Sequence, residues 1–107
     1  MIFISKYIVP KGFVGITLFP FIFLKREELK QNEVLINHEK IHLKQQLELL
    51  VVFFYVFYFF EWFFKLIKYR NFDKAYKNIS FEREAFENEK EGYYIEDREF
   101  WAFLKYL

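Results

Sequence analysis

The segment from Asn37 to His42 limits what this chain can fold into more than any other, because it holds both of the chain's histidines in the pattern His-Glu-x-x-His. On an α-helix, side chains four residues apart lie on one face with Cβ atoms about 6 Å apart, so His38 and His42 could bind one metal ion. Glu39 is rotated by about 100° from His38 and would lie beside that ion. Residues 33–48 contain neither glycine nor proline, which predicts the helix that this geometry needs. Because a short pattern also arises by chance on a solvated helix face, a third ligand has to be found.

The composition limits the class of protein. A chain of 107 residues can form one small domain with a modest core. A net charge of +1, with basic and acidic residues interspersed, gives no electrostatic footprint for nucleic acid. The absence of cysteine excludes disulfides and thiolate metal ligands. An aromatic content of 25% predicts that the rings either fill a dense core or lie against lipid. Lys6 interrupts the short apolar start, which is not the pattern of a signal peptide.

The pattern along the chain predicts an α+β fold that begins with strands. Residues 1–24 are rich in β-branched and aromatic residues, which predicts two or three short strands or a hairpin, with Pro20 at a turn or a sheet edge. Asn32 is then expected to cap a long helix over residues 32–69 that carries the histidine motif and continues as an apolar extension. The whole chain, residues 1–107, is interpreted as one domain.

Two shorter helices are predicted towards the C-terminus. Ser80 is expected to cap a helix over residues 80–91, which Gly92 ends. Asp97 is expected to cap a last, amphipathic helix over residues 97–107.

The apolar extension raises the question of a membrane. Residues 49–60 carry no charge, and after Glu61 the apolar run continues to residue 64. A helix that is apolar on every side is either buried or in contact with lipid, but a full span needs about 20 apolar residues. We therefore expect residues 49–64 to associate with a membrane, at its cytoplasmic face. A cytoplasmic location without membrane contact is the alternative.

Glu82 is the candidate for the third ligand. The helix after Ser80 places Glu82, Ala85, Phe86 and Glu89 on one face, and the small Ala85 would let this helix approach the motif helix closely. A carboxylate there could complete a His-His-Glu set and leave a fourth position for water. The alternative is an exposed acidic helix N-terminus, which the helix dipole favours anyway. The residues alone leave both interpretations open.

Three blocks of the chain, taken in order, carry a resemblance to a known family: residues 15–24, 33–42 and 82–85. They resemble the glycine-containing strand with its edge strand, the HExxH helix and the Glu-x-x-Ala motif of gluzincin metallopeptidases. The integral-membrane peptidases of the BlaR/MecR type are the most similar, and the CAAX-protease/HtpX group is more distantly similar. Trp62 falls where that family has a Trp-Phe-Asn-Pro turn, although the Asn-Pro is missing here. Phe86 stands where the family has an aspartate.

The resemblance implies a minimal gluzincin-like fold with a zinc-dependent peptidase site. Zn²⁺ would be held by His38, His42 and Glu82 and would polarise a water and the scissile carbonyl, while Glu39 would be the catalytic base. The substrate would be a peptide or protein, bound as an added strand along residues 21–24. The group that stabilises the oxyanion stays open among three residues, Arg83, Tyr93 and Tyr94.

Two other interpretations remain beside the enzyme. The chain could be a non-catalytic zinc-binding or membrane-associated interaction module with a degenerate gluzincin fold, which Phe86 and the small size favour. It could also be an aromatic-rich helical protein in which the motif has arisen by chance.

Overall fold

Three short strands form the N-terminal part of the computed structural model, which describes residues 1–107. They are β1 (Ile2–Ile4), β2 (Gly15–Leu18) and β3 (Phe21–Leu24), in the spatial order β1-β3-β2. Strand β3 is parallel to β1 and antiparallel to β2, to which it is joined by a turn through the Phe19-Pro20 peptide. The predicted strands and the predicted turn at Pro20 are confirmed.

The sheet order corrects one expectation about substrate binding. Residues 21–24 were expected to be the edge strand that receives a peptide, but β3 lies in the centre because β1 pairs with it on the side that β2 leaves free. An added strand would instead have to pair with the outer side of β1 or of β2.

The motif helix α1 runs from Glu33 to Glu48, after a short 3₁₀ helix at Glu27–Gln31. Asn32 is its N-cap, as predicted, since its side chain accepts a hydrogen bond of 3.1 Å from the Leu35 N–H.

The predicted continuous helix over residues 32–69 is wrong, because the chain breaks into two helices. Leu50 and Val51 have φ values of 54° and 63°, and the Val52 N–H donates to the Leu50 carbonyl at 2.6 Å, which closes a γ-turn. Helix α2 (Val52–Tyr69) therefore leaves α1 at an angle of 112°. The turn lets α2 fold back over the domain, where Phe54 packs on Phe81 with ring centroids 4.6 Å apart.

Neither helix has by itself the length and apolar character of a membrane span; α1 and α2 meet that criterion only when they are taken together, across their bend.

Three further helices follow: α3 (Phe72–Lys77), α4 (Ser80–Asn88) and the single turn α5 (Tyr94–Asp97). The glutamate helix α4 thus ends three residues before the predicted residue 91. Ser80 lies inside α4 rather than capping it, and Ile79 holds the cap position. The cap is supplied from α2 instead, because a Glu61 carboxylate oxygen accepts from the Ser80 N–H at 2.9 Å and from its hydroxyl at 2.7 Å.

The predicted amphipathic helix over residues 97–107 is also wrong. Asp97 ends α5, and only Ala102–Tyr106 is helical beyond it, as a 3₁₀ helix. Polar contacts hold the intervening residues in an irregular path: Arg98 forms an ion pair with Glu48 at 2.7 Å, and the Trp101 N–H donates to the same carboxylate. Trp101 itself has a φ of 62°, in the left-handed region, so a continuous helix cannot pass through it, and the 3₁₀ helix begins only at the next residue.

Helix α1 lies between the two parts of the core. One apolar cluster, under the sheet, contains Ile22, Leu24 and Leu29 and packs against α1. The other joins α2, α4 and the C-terminal 3₁₀ helix, and contains Leu49, Phe54, Ile79, Phe81 and Phe103. Because α1 touches the sheet on one side and α4 on the other, its motif residues can reach both. One three-stranded sheet together with five α-helices confirms the predicted fold class, α+β.

Candidate metal centre

The structure brings His38, His42 and Glu82 together in one buried cluster. The Nε2 atoms of the two histidines are 3.2 Å apart, and Glu82 Oε1 lies 3.3 Å from His38 Nε2 and 3.0 Å from His42 Nε2. Three ligand atoms at these separations can converge on one ion. A metal ion could therefore be held here, between the motif helix and the glutamate helix.

The cluster forms because α4 lies close against α1 and is fixed to it near both ends. Ala85 is fully buried, as expected for a small residue that permits a close approach. The Gln45 amide donates to the Phe81 carbonyl at 3.0 Å, near the start of α4. The Asn37 amide donates to the Glu89 carbonyl at 2.8 Å, at the other end, where helix carbonyls have no partner within the helix.

Each histidine is oriented through its second ring nitrogen. Glu89 Oε2 lies 2.7 Å from His38 Nδ1, and Gln45 Oε1 lies 2.8 Å from His42 Nδ1. The Gln45 amide group already donates to Phe81 and to Glu84, so its oxygen must be the atom that faces His42. His42 Nδ1–H is therefore the donor, and Nε2 is the nitrogen available to a metal.

The carboxylate of Glu82 is held in the same manner. The Tyr58 hydroxyl, on α2, donates to Glu82 Oε2 at 2.7 Å. This contact occupies one oxygen and leaves Oε1 towards the two histidines. Helix α2 thus takes part in building the cluster although it supplies no ligand.

The cluster is also an ion pair. Burial alone would lower the pKa of His42, but the Glu82 carboxylate outweighs this and raises the pKa of His42 to about 9. Burial alone would raise the pKa of Glu82, but His42 and His38 hold it well below its usual range. Without a metal ion the pair is therefore imidazolium and carboxylate at neutral pH, and an ion that binds has to displace the proton of His42.

A buried polar network connects His42 to the C-terminal segment. The Glu84 carboxylate, fully buried, accepts from the Gln45 amide at 2.9 Å, from the Tyr94 hydroxyl at 2.6 Å and from Arg98. Arg98 in turn pairs with Glu48. Burial alone would raise the pKa of Glu84, but the hydrogen bonds from Arg98, Tyr94 and Gln45 outweigh burial and lower the pKa below its usual value. The carboxylate therefore stays charged. Gln45 is held in place by this network, and His42 by Gln45.

Glu39 lies beside the cluster and outside the ligand set. It is 5% exposed, and the Thr17 hydroxyl of β2 donates to its Oε1 at 2.7 Å. The other oxygen, Oε2, lies near Gly15, since a Cβ at that position would be in ordinary van der Waals contact with it at 3.6 Å. Strand β2 therefore both orients Glu39 and leaves part of its carboxylate free.

Two cavities meet at Glu39. One, of about 260 Å³, is lined by Glu39, His42 and Glu82 together with aromatic side chains of α2. The other, of about 490 Å³, is lined by Glu39, His38 and Glu89. Gly15 and Tyr76 line both, so the two form one cleft along β2 that is bordered by the candidate ligands.

The three residues expected to stabilise an oxyanion lie elsewhere. Arg83 donates to the Tyr106 carbonyl at 2.7 Å, Tyr94 donates to Glu84, and Tyr93 is 74% exposed. None of them lines the cleft. Tyr76 on α3, which lines both parts of the cleft, is one of the residues that sequence reasoning missed. Burial and the nearby Glu82 charge raise the pKa of its phenol, so it stays protonated.

The other missed residues are Gln45, Glu89, Tyr58 and Thr17. Helical spacing could have indicated two of them. Gln45 lies three positions after His42 and Glu89 seven positions after Glu82, so each lies on the same helix face as its neighbour in the site. Tyr58 and Thr17 approach from other elements, which no local pattern indicates. Phe86, where the resembling family has an aspartate, packs edge-on against His38 with ring centroids 4.6 Å apart.

No protein-family model matches the chain, and no curated protein or solved structure is significantly similar to it. The interpretation of the site therefore depends on its own geometry.

Metal binding should release a proton. Because the pKa of His42 is raised to about 9, the histidine is protonated below that pH and has to become neutral to bind a metal. With Zn²⁺ as the probe, calorimetry in buffers of different ionisation enthalpy should show about one proton released per ion near neutral pH, and the affinity should fall about tenfold per pH unit between about pH 8 and about pH 6. An affinity that is constant over this range, without proton release, would contradict the described pair.

Glu89→Gln tests the residue that orients His38. Loss of the negative charge at His38 Nδ1 should weaken Zn²⁺ binding by about 10- to 100-fold, as expected for a group that orients a histidine ligand. Glu87→Gln is the matched control and should have no effect, since Glu87 is an exposed glutamate two residues earlier, in the last turn of α4. Equal affinities for the two variants in a competition assay with a fluorescent chelator would mean that Glu89 plays no part.

Proposed function

We propose that this protein is a zinc-dependent peptidase of the gluzincin type, which hydrolyses peptide bonds in the cleft along β2. The observation that carries the proposal is the combination of a buried His-His-Glu cluster with a separate glutamate, Glu39, on the wall of an open cleft. A structural metal site is closed by four protein ligands and has no use for a base beside it.

The donor set supports zinc as the metal. Two imidazoles and one carboxylate are typical of catalytic zinc sites, whereas Mg²⁺ and Ca²⁺ prefer oxygen ligands alone. Ligand atoms at 2.0–2.1 Å from a tetrahedral Zn²⁺ lie about 3.3–3.4 Å from one another. The three observed separations, 3.0, 3.2 and 3.3 Å, are close to this, so the cluster needs little rearrangement to accept the ion.

Glu39 is proposed as the base. Zinc, when bound, supplies a positive charge that lowers the pKa of a water and polarises the scissile carbonyl. Glu39 would accept the proton of the attacking water and pass it to the leaving amine, since its second oxygen is not engaged by Thr17. The Thr17 hydroxyl keeps the carboxylate facing the cleft, and its burial strengthens these electrostatic effects.

The outer edge of β2 at Gly15 supports a peptide as substrate. The Val14 carbonyl faces the β3 side, because it accepts from the backbone N–H of Lys25 directly after β3. The Thr17 carbonyl faces the opposite side, because it accepts from the side chains of Gln46 and Tyr55. Backbone groups alternate along a strand, so Gly15 also directs its N–H and C=O away from β3 and into the cleft. An extended peptide could pair there as an added strand, beside Glu39 and not along residues 21–24.

Tyr76 is proposed to stabilise the oxyanion. Its phenol lines both parts of the cleft near Glu82, and its raised pKa keeps the hydrogen that a developing oxyanion would accept.

Glu39→Gln is the test of this function. Glutamine keeps the size of the side chain and can still accept from Thr17, but it cannot take a proton from water. Cleavage of a responsive peptide from a broad library should therefore fall by about 100-fold or more, while zinc content and thermal stability stay unchanged. Glu33→Gln, the same change at an exposed position of α1, should leave cleavage unaltered.

Two results would contradict the peptidase. If zinc-loaded wild type and Glu39→Gln are equally inert across the library, the non-catalytic zinc-binding module replaces it. If Glu39→Gln cleaves as well as wild type, the hydrolysis has another source.

A further inference from the structure

Helix α2 exposes a continuous apolar face to the surroundings of the domain. At 100° per residue, the exposed side chains of α2 other than Lys68 cover an arc of about 200° around the helix axis. All of them are apolar or aromatic, and each is between 40% and 67% exposed: Val52, Phe53, Tyr55, Val56, Phe57, Phe59, Phe60, Phe63, Phe64 and Ile67. We call this set the aromatic face. No charged residue interrupts it, and contiguous apolar patches of this kind mark interaction sites.

The opposite side of α2 is fixed to the domain along its length. Phe54 packs on Phe81, Tyr58 donates to Glu82, and Glu61 accepts from Ser80. Near its C-terminal end, Trp62 stacks on Phe72 at a centroid distance of 6.1 Å. The helix can therefore offer only one side to a partner, and the partner has to lie along the helix rather than around it.

Basic residues stand at one end of the aromatic face. Lys68 and Arg70 are exposed at the end of α2, and Lys74 is exposed on the adjacent α3. Lys68 and Lys74 both lie over the ring of Tyr69, at 5.2 and 4.9 Å from its centroid. The nearby acid, Asp73, is already paired with Lys77 at 3.0 Å. Lys68, Arg70 and Lys74 thus form no ion pair with an acidic side chain, and they lie next to a wide apolar surface.

We propose that the aromatic face docks on the surface of an anionic lipid membrane, with α2 lying parallel to the membrane plane. A helix with one apolar side inserts about 5–10 Å, to the boundary of headgroups and acyl chains, where tyrosine and lysine side chains are favoured. Anionic headgroups supply the partners that Lys68, Arg70 and Lys74 lack. A second copy of the chain fits less well, because its own aromatic face carries no acid to pair with them.

Docking through the aromatic face would also bring the cleft close to the membrane surface. Tyr55 and Phe59 belong to the aromatic face and also line an apolar cavity of about 600 Å³. Tyr55, Tyr58 and Tyr76 are shared between this cavity and the part of the cleft that His42 and Glu82 line. The docked protein would thus have an apolar path from the lipid surface to the metal centre. The docking itself does not depend on catalysis, so its test and the Glu39→Gln test can fail independently.

The test is co-sedimentation of the 107-residue chain with vesicles. Binding should be stronger to vesicles of phosphatidylglycerol mixed with phosphatidylcholine than to phosphatidylcholine alone. Phe60→Gln should weaken binding to both by about tenfold or more, since a buried phenylalanine ring contributes about 1.5–3 kcal/mol. Tyr93→Gln, which alters a comparably exposed aromatic residue beyond α2, should have no effect. Lys68→Gln should weaken binding to the anionic vesicles only, and salt should reduce that difference.

Orientation can be measured because the chain has no cysteine. An environment-sensitive dye attached to Phe53→Cys, Phe60→Cys or Ile67→Cys should report a similar, shallow depth at all three positions. A dye on Glu87→Cys, an exposed position of α4, should stay in water. Circular dichroism of each variant separates loss of binding from loss of folding. No vesicle binding, or depths that differ as in a spanning helix, would overturn the proposal. So would a concentration-dependent dimer that Phe60→Gln abolishes while vesicles bind neither protein.

Discussion

The fold depends on the burial of one carboxylate, that of Glu82. An unpaired buried charge costs several kcal/mol, so a helix that carries it inwards is stable only where cations and donors meet it. Three groups do so here: the imidazoles of His38 and His42, and the hydroxyl of Tyr58. They come from two other helices. The neutralisation of Glu82 therefore contributes to holding α4 against α1 and α2 against both, beside the contacts of Asn37, Gln45 and Phe54.

The same requirement explains why the support of the site reaches so far from it. His42 can meet Glu82 only if its ring is turned correctly, which Gln45 ensures, and Gln45 is held in turn by the buried Glu84. Arg98 keeps Glu84 charged and at the same time draws the C-terminal segment onto α1 through Glu48. The irregular path of residues 98–101 is thus a consequence of how the His-His-Glu cluster is supported. A metal ion that bound there would replace the proton of His42.

Sequence reasoning recovered those features that depend on local pattern. The strands, the Asn32 cap and the α+β class followed from residue type, and the shared helix face of His38 and His42 followed from their spacing. The residues alone left the role of Glu82 open, and its place beside the two histidines was expected from the family resemblance. The features that failed depend on contacts between distant segments. The break after α1 needs Leu50 and Val51 at positive φ, which neither residue favours and which is stabilised by the packing of Phe54 in the core. Two other predictions failed because of long-range contacts that no periodicity reveals. The C-terminal segment is not one helix because Arg98 pairs with Glu48, and β3 is central because β1 pairs with it.

The central claim is that His38, His42 and Glu82 hold one metal ion and that Glu39 does not. The most direct measurement is the metal content, by inductively coupled plasma mass spectrometry, of protein purified after equilibration with Zn²⁺ and removal of free ion. Wild type and Glu39→Gln should each carry about one zinc per chain, and His38→Ala, His42→Ala and Glu82→Ala should carry almost none. Circular dichroism of each variant separates the loss of a ligand from the loss of the fold, because removing one imidazole also leaves the buried Glu82 charge with one partner fewer. Stoichiometric zinc in all three alanine variants, or none in folded wild type, would contradict the account.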